Sequence, residues 1–110
     1  MAEQKKDTKQ TILDLADTLS DVDYETTILI EEMSELMKVL CKHKRKLKFP
    51  QYNKYDKAKL YEELAHVEIS LVICKHMLGV DEGILEESIL KRIATMTGYR
   101  GEIAPPGDKK

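Results

Sequence analysis

The sequence predicts an all-α fold, a small antiparallel bundle of about four helices. Three observations predict it. Apolar residues recur at helical spacing through four separate segments, capping residues fall at the segment boundaries, and no strand-like alternation is long enough to matter. The chain has 110 residues, near the common size of one domain. It is 42% hydrophobic and 35% charged, which suits a folded, water-soluble chain rather than a disordered one.

Each helix has its own signal. Thr8 to Leu19 carries Ile12, Leu13, Leu15, Ala16 and Leu19, a short amphipathic helix. Ser20, Asp21 and Asp23 offer N-caps for a long second helix, expected from Tyr24 to about Leu47, with Glu25 in its first turn. Its expected core stripe is Leu29, Met33, Leu36, Leu40 and Leu47. Pro50 disfavours helix at Phe49, so Phe49 to Asp56 is a connection. A third helix is expected from about Lys57 to Leu78, with the stripe Leu60, Leu64, Val67, Leu71, Cys74 and Leu78 and with Gly79 as its C′ residue. Asp81 caps a fourth, from about Glu82 to Met96, carrying Ile84, Leu85, Ile89, Leu90 and Ile93. The resulting organisation is a disordered N-terminus over 1–7, an all-α domain over 8–97 and a flexible tail over 98–110.

Trp is absent and Phe49 is the only Phe, so the core must come from aliphatic side chains and Met. Such a core is marginal in a chain of this length, and its completion by self-association is expected. The formal charge of −2 argues against a protein that coats nucleic acid. No segment has the length of a membrane span, and the polar N-terminus lacks an apolar leader core; both point to the cytoplasm. Cys41 and Cys74 lie in helical, largely apolar stretches without metal-type spacing, and are expected to be reduced thiols.

Two acid clusters carry the functional signal: Glu31, Glu32 and Glu35 on the second helix, and Glu62, Glu63 and His66 on the third. Acids at i, i+3 and i, i+4 are helix neighbours and repel. With about 100° per residue and the core stripe at zero, Glu32 and Glu63 both fall at about 300°, and Glu35 and His66 both at about 240°. An antiparallel pairing would turn both edges toward one cleft. Buried carboxylates must protonate or find a cation, and oxygen ligands from two helices suit Mg²⁺ or Mn²⁺. The bland alternative is solvated acid on two helices made of good helix formers.

At these residues the chain resembles the all-α NTP pyrophosphatases, the MazG-like and dimeric dUTPase-like superfamily. That pattern is Glu-Glu-x-x-Glu on one helix and Glu-x-x-Asp on the next. Ile30-Glu31-Glu32-Met33-Ser34-Glu35-Leu36 is similar to the first motif, and Tyr61-Glu62-Glu63-Leu64-Ala65-His66-Val67-Glu68-Ile69 to the second. The likeness covers roughly residues 22–95, and its length resembles the compact single-domain MazG-like proteins. It implies metal-dependent hydrolysis of a nucleoside triphosphate to the monophosphate and pyrophosphate, by a homodimer or dimer of dimers. It implies Glu32, Glu35, Glu63 and His66 as metal ligands and Glu31 as the acid that orients water or holds a further ion. His66 stands where the family has Asp; imidazole favours Mn²⁺ over Mg²⁺ and removes one negative charge. A non-catalytic nucleotide-binding or protein-interaction module, its site detuned by His66, is the alternative.

Lys42 to Lys48 is the strongest charge run, either cations that suit a helix C-terminus or an electropositive rim for triphosphate or RNA. Lys54, Lys91 and Arg92 are the weaker candidates for substrate phosphate. Tyr52, Tyr55 and Tyr61 could stack on a base, or simply pack at the connection between helices.

Overall fold

A computed structural model describes the backbone of residues 7–103 and side chains through residue 98. The described residues form four helices and no strand: α1 Thr8–Ala16, α2 Val22–Lys48, α3 Lys57–Met77 and α4 Glu82–Ile103. The all-α fold is therefore as expected. Helices α1 to α3 belong to one compact unit, and α4 belongs to a second that begins at Val80.

Side-chain caps set the helix starts. The Asp21 carboxylate accepts from the Tyr24 backbone N–H at 2.9 Å, and Asp23 and Glu25 follow in the positive first turn of α2. Asp56 accepts from Ala58 N–H and Asp81 from Ile84 N–H, both at 2.9 Å, to open α3 and α4. Arg45, Lys46 and Lys48 close α2 against the negative end of its dipole. Gly79 follows α3 with φ of 69°, a left-handed conformation.

Helix α2 begins at Val22, two residues before the expected Tyr24, because Asp21 rather than Asp23 is its cap, and two other ends differ from expectation. Helix α1 stops at Ala16 rather than Leu19, because Thr18 and Leu19 N–H bond three residues back and the Thr18 hydroxyl takes the Leu15 carbonyl at 2.7 Å. Helix α4 continues past Met96 and Gly98 to Ile103, so residues 98–103 of the expected tail are helical. One interior Gly costs only about 1 kcal/mol against Ala, too little to end a helix. Residues 1–6 of the expected disordered N-terminus, and 104–110 of the tail, lie outside the described residues.

Helices α2 and α3 run antiparallel. The Cys74 thiol donates to the Glu25 carbonyl at 3.3 Å near one end of the seam, and His66 Nδ1 lies 3.2 Å from Glu32 Oε1 further along. Helix α1 packs on α3, and just beyond its end Asp17 contacts His76 at 2.7 Å. The core is small: Ala16, Val39, Ile73 and Cys74 are its buried apolar members, with Ser70 and Glu63 buried beside them. The seam on α2 is centred on Glu32, Leu36 and Val39. Met33, Leu40 and Leu47 of the expected core stripe are instead exposed, at 42, 43 and 70%. No helix among the described residues is long and apolar enough to cross a membrane.

Two stability predictions follow from this packing. Ile73→Ala should lower the unfolding free energy by about 2–3 kcal/mol, and Asp21→Ala by about 1 kcal/mol, both read from urea midpoints. Burial holds the Cys74 thiol above its usual pKa, and the nearby Glu25 adds to the effect. The unfolded chain therefore releases this proton first. Stability should fall as pH rises through about 8.5 toward the folded value, and Cys74→Ala should flatten that decline.

Candidate metal centre

The α2–α3 seam brings Glu32, Glu63 and His66 together. One ligand atom from each lies within 4.8 Å of the others. Glu32 comes from α2; Glu63 and His66 come from α3, one turn apart. His66 Nδ1 stands 3.2 Å from Glu32 Oε1 and 3.4 Å from Glu63 Oε1. The Glu63 side chain is only 4% exposed, Glu32 is 26% exposed, and His66, at 41%, forms the open side.

Glu63 is the unusual member. Lys59, one turn earlier on α3, holds Oε2 at 3.1 Å and also reaches Glu62 at 3.6 Å. This hydrogen bond lowers the carboxyl pKa of Glu63 against the opposing effect of burial, and the same pairing raises that of Lys59. Glu63 is thereby kept ionised. Its other oxygen, Oε1, is shut off from solvent and makes no hydrogen bond, although the His66 imidazole stands 3.4 Å away and also favours the ionised carboxyl. Lys59 supplies the counter-charge of this buried carboxylate, and Oε1 is left as an acceptor that a donor or a further cation would stabilise.

The donor set bears on which cation. Two carboxylate oxygens and an imidazole nitrogen suit Mn²⁺, Fe²⁺ or Zn²⁺ better than Mg²⁺, which prefers an all-oxygen octahedron. To ligate through Nδ1, His66 must be neutral with its proton on Nε2. The donor set of the three residues fits a borderline divalent ion.

The other predicted residues lie elsewhere. Glu35 is 48% exposed and pairs with Lys38 at 3.3 Å, and Glu31 is exposed; neither belongs to the cluster. Lys54 is exposed in the connection between α2 and α3, and Lys91 and Arg92 are exposed on α4. Lys59 was not singled out from the sequence, although its i, i+4 spacing to Glu63 was visible there.

Part of the basic run is structural. The Arg45 guanidinium lies 5.4 Å from the Tyr52 ring centre and 3.3 Å from its hydroxyl. Lys46 donates to the Pro50 carbonyl at 2.7 Å, and the His43 and Tyr55 rings stand 5.1 Å apart. These contacts pin the α2–α3 connection to the end of α2. Cys41, Lys44, Arg45, Lys48 and Phe49 line an open concavity of about 310 Å³. Cys41 is exposed and Cys74 buried, both as free thiols.

No protein-family model, curated protein or solved structure matches the chain.

The dependence of the seam on Lys59 can be tested directly. Lys59→Met leaves both Glu63 oxygens without a partner and should lower the thermal midpoint. Adding Glu63→Gln to that variant should restore part of the loss, since the neutral amide no longer needs a cation. Equal midpoints for wild type and Lys59→Met would refute it.

Proposed function

We propose that this chain is a metal-dependent nucleoside triphosphate pyrophosphohydrolase of the all-α, MazG-like type, working in the cytoplasm as a homo-oligomer. The observation that supports this reading most is the orphaned Glu63 Oε1, buried in the seam beside Glu32 and His66. The resemblance of the two acid motifs supplies the reaction, and the packing of α2 on α3 brings one member of the first motif against two residues of the second.

Glu32, Glu63 and His66 would hold a divalent ion, which when bound supplies charge neutralisation for the phosphates and lowers the pKa of water. Lys59 keeps Glu63 ionised and takes up one of its oxygens, so that only Oε1 is offered inward. Glu31 and Glu35 remain solvent-accessible on α2, where a carboxylate can accept a proton from attacking water. Water adds to the α-phosphorus, the bond to the bridging oxygen breaks, and pyrophosphate leaves with the nucleoside monophosphate as the other product. Lys54, in the connection that follows α2, is the candidate cation of this unit for the phosphate chain. Mn²⁺ is the favoured ion because His66 replaces an acid.

A non-catalytic nucleotide-binding module is the second reading. The contact between His66 and Glu32 favours it, because the ring nitrogen meets the carboxylate directly at 3.2 Å and closes the cluster without an ion.

A screen of ribo- and deoxyribonucleoside triphosphates for pyrophosphate release, with Mg²⁺ and with Mn²⁺, tests the first reading. The wild type should turn over at least one nucleotide, faster with Mn²⁺, and Glu63→Gln should lose about 100-fold or more in kcat/KM. His66→Asp should move the preference toward Mg²⁺. Turnover by neither wild type nor His66→Asp would overturn it. Metal binding has a separate readout: Mn²⁺ at about 100 times its Kd should add about 2.7 kcal/mol of stability, and Glu63→Gln should abolish that gain.

A further inference from the structure

Helix α2 carries a second apolar stripe that α3 does not cover. Ile30, Met33, Met37, Leu40, Lys44 and Leu47 follow one another at spacings of 3, 4, 3, 4 and 3. That is the a/d alternation of a heptad repeat, which keeps a seam facing another helix. Ile30 is 58% exposed, Met37 63% and Leu47 70%, so neither α1 nor α3 covers the stripe. It is centred about 100° around the helix from the Glu32, Leu36 and Val39 face that meets α3. Scattered exposed apolar residues need no explanation, but a long stripe in strict register does.

The charges select the occupant. From Asp21 to Met37 the ionised side chains are Asp21, Asp23, Glu25, Glu31, Glu32 and Glu35; from Lys38 to Lys48 they are all Lys or Arg. A helix acidic in its first half and basic in its second complements a reversed copy of itself. The heptad positions agree: Asp23 and Lys44 both fall at a. A parallel pair would set Lys44 against Lys44 and Asp23 against Asp23. An antiparallel pair brings Asp23 of one copy within a turn of Lys44 of the other.

Register points the same way. Pairing residues whose numbers sum to 70 sets Ile30 against Leu40 and Met33 against Met37, each a against d. The same sum matches Val22 with Lys48, so the 27-residue helices overlap along their full length of about 40 Å.

We propose that this stripe is the self-association surface of the protein, and that two copies pair through antiparallel α2 helices about a two-fold axis. The small buried core of each copy is then extended by a shared apolar layer. The interface rests on the heptad and its charges and not on the metal chemistry, although it would supply the homo-oligomer of the functional proposal.

Sedimentation equilibrium of the full-length protein tests the proposal, together with cysteine cross-linking. The wild type should have the mass of two chains. Met37→Glu and, separately, Leu40→Glu should each weaken the dimer by about 100-fold or more, with helical circular dichroism retained because both residues are exposed in a single chain. Glu63→Gln should keep the dimer mass, so loss of catalysis and loss of the interface are distinguishable. In a Cys41→Ser background, Ile30→Cys should cross-link to Leu40→Cys when the two variants are mixed, and neither should cross-link alone. A monomeric wild type would overturn the proposal. So would a dimer indifferent to both Glu substitutions, or efficient cross-linking within either single variant.

Discussion

Burying the Glu63 carboxylate between α2 and α3 is the constraint around which the rest of the first unit is arranged. An ionised acid at 3% exposure is tolerated only with a cation nearby, and Lys59 supplies one from the same helix face. Lys59 takes one oxygen and leaves the other turned to Glu32 and His66. The seam cannot slide by a turn without separating these groups, so the acid also fixes the register of the two helices. A polar group that costs stability in a small core can contribute uniqueness in this way.

The apolar packing around that acid is thin. Val39, Ile73 and Cys74 are small or medium side chains, and the Cys74 thiol takes up a carbonyl on α2 as well as filling space. Much of the organisation comes instead from helix ends: Asp caps at the starts of α2, α3 and α4, and a basic last turn on α2 that grips its own following loop. Local signals are strong and the shared core is weak. That balance suits a fold whose remaining apolar surface belongs to another helix.

The boundaries set by caps were legible, unlike the ends of α1 and α4, because a cap is a chemical event confined to a few residues. Asp21, Asp56, Asp81 and Gly79 each act on backbone groups within one turn, so their effect can be deduced without tertiary knowledge. The core face of α2 was not legible. Its apolar residues occupy two neighbouring stripes, and the predicted one mixed Leu29 and Leu36, beside the seam, with Met33, Leu40 and Leu47 on the outer stripe. Periodicity shows that an apolar face exists but does not say which partner covers it. The matched angular offset of the acids was the better guide, and Glu32, Glu63 and His66 do meet. The exposed position of Glu35 was hidden, since the same offset suits an acid inside the cleft or one at its rim. Lys59 was hidden for a simpler reason: the structural demand of Glu63 is visible only once its burial is known.

Gly79 separates the two units, and a Cβ placed there would meet nothing within 4 Å. The position is therefore reserved by a torsion angle rather than by space. An ordinary L-residue would have to adopt the left-handed conformation at a cost of about 1–2 kcal/mol, or let α3 wind onward. Onward winding would draw Val80 and then Asp81 into the wrong helix, and Asp81 is the residue whose carboxylate opens α4. The end of α3 is thus held by one dihedral, with a backbone hydrogen bond from Gly79 to His76 and no side-chain packing to defend it.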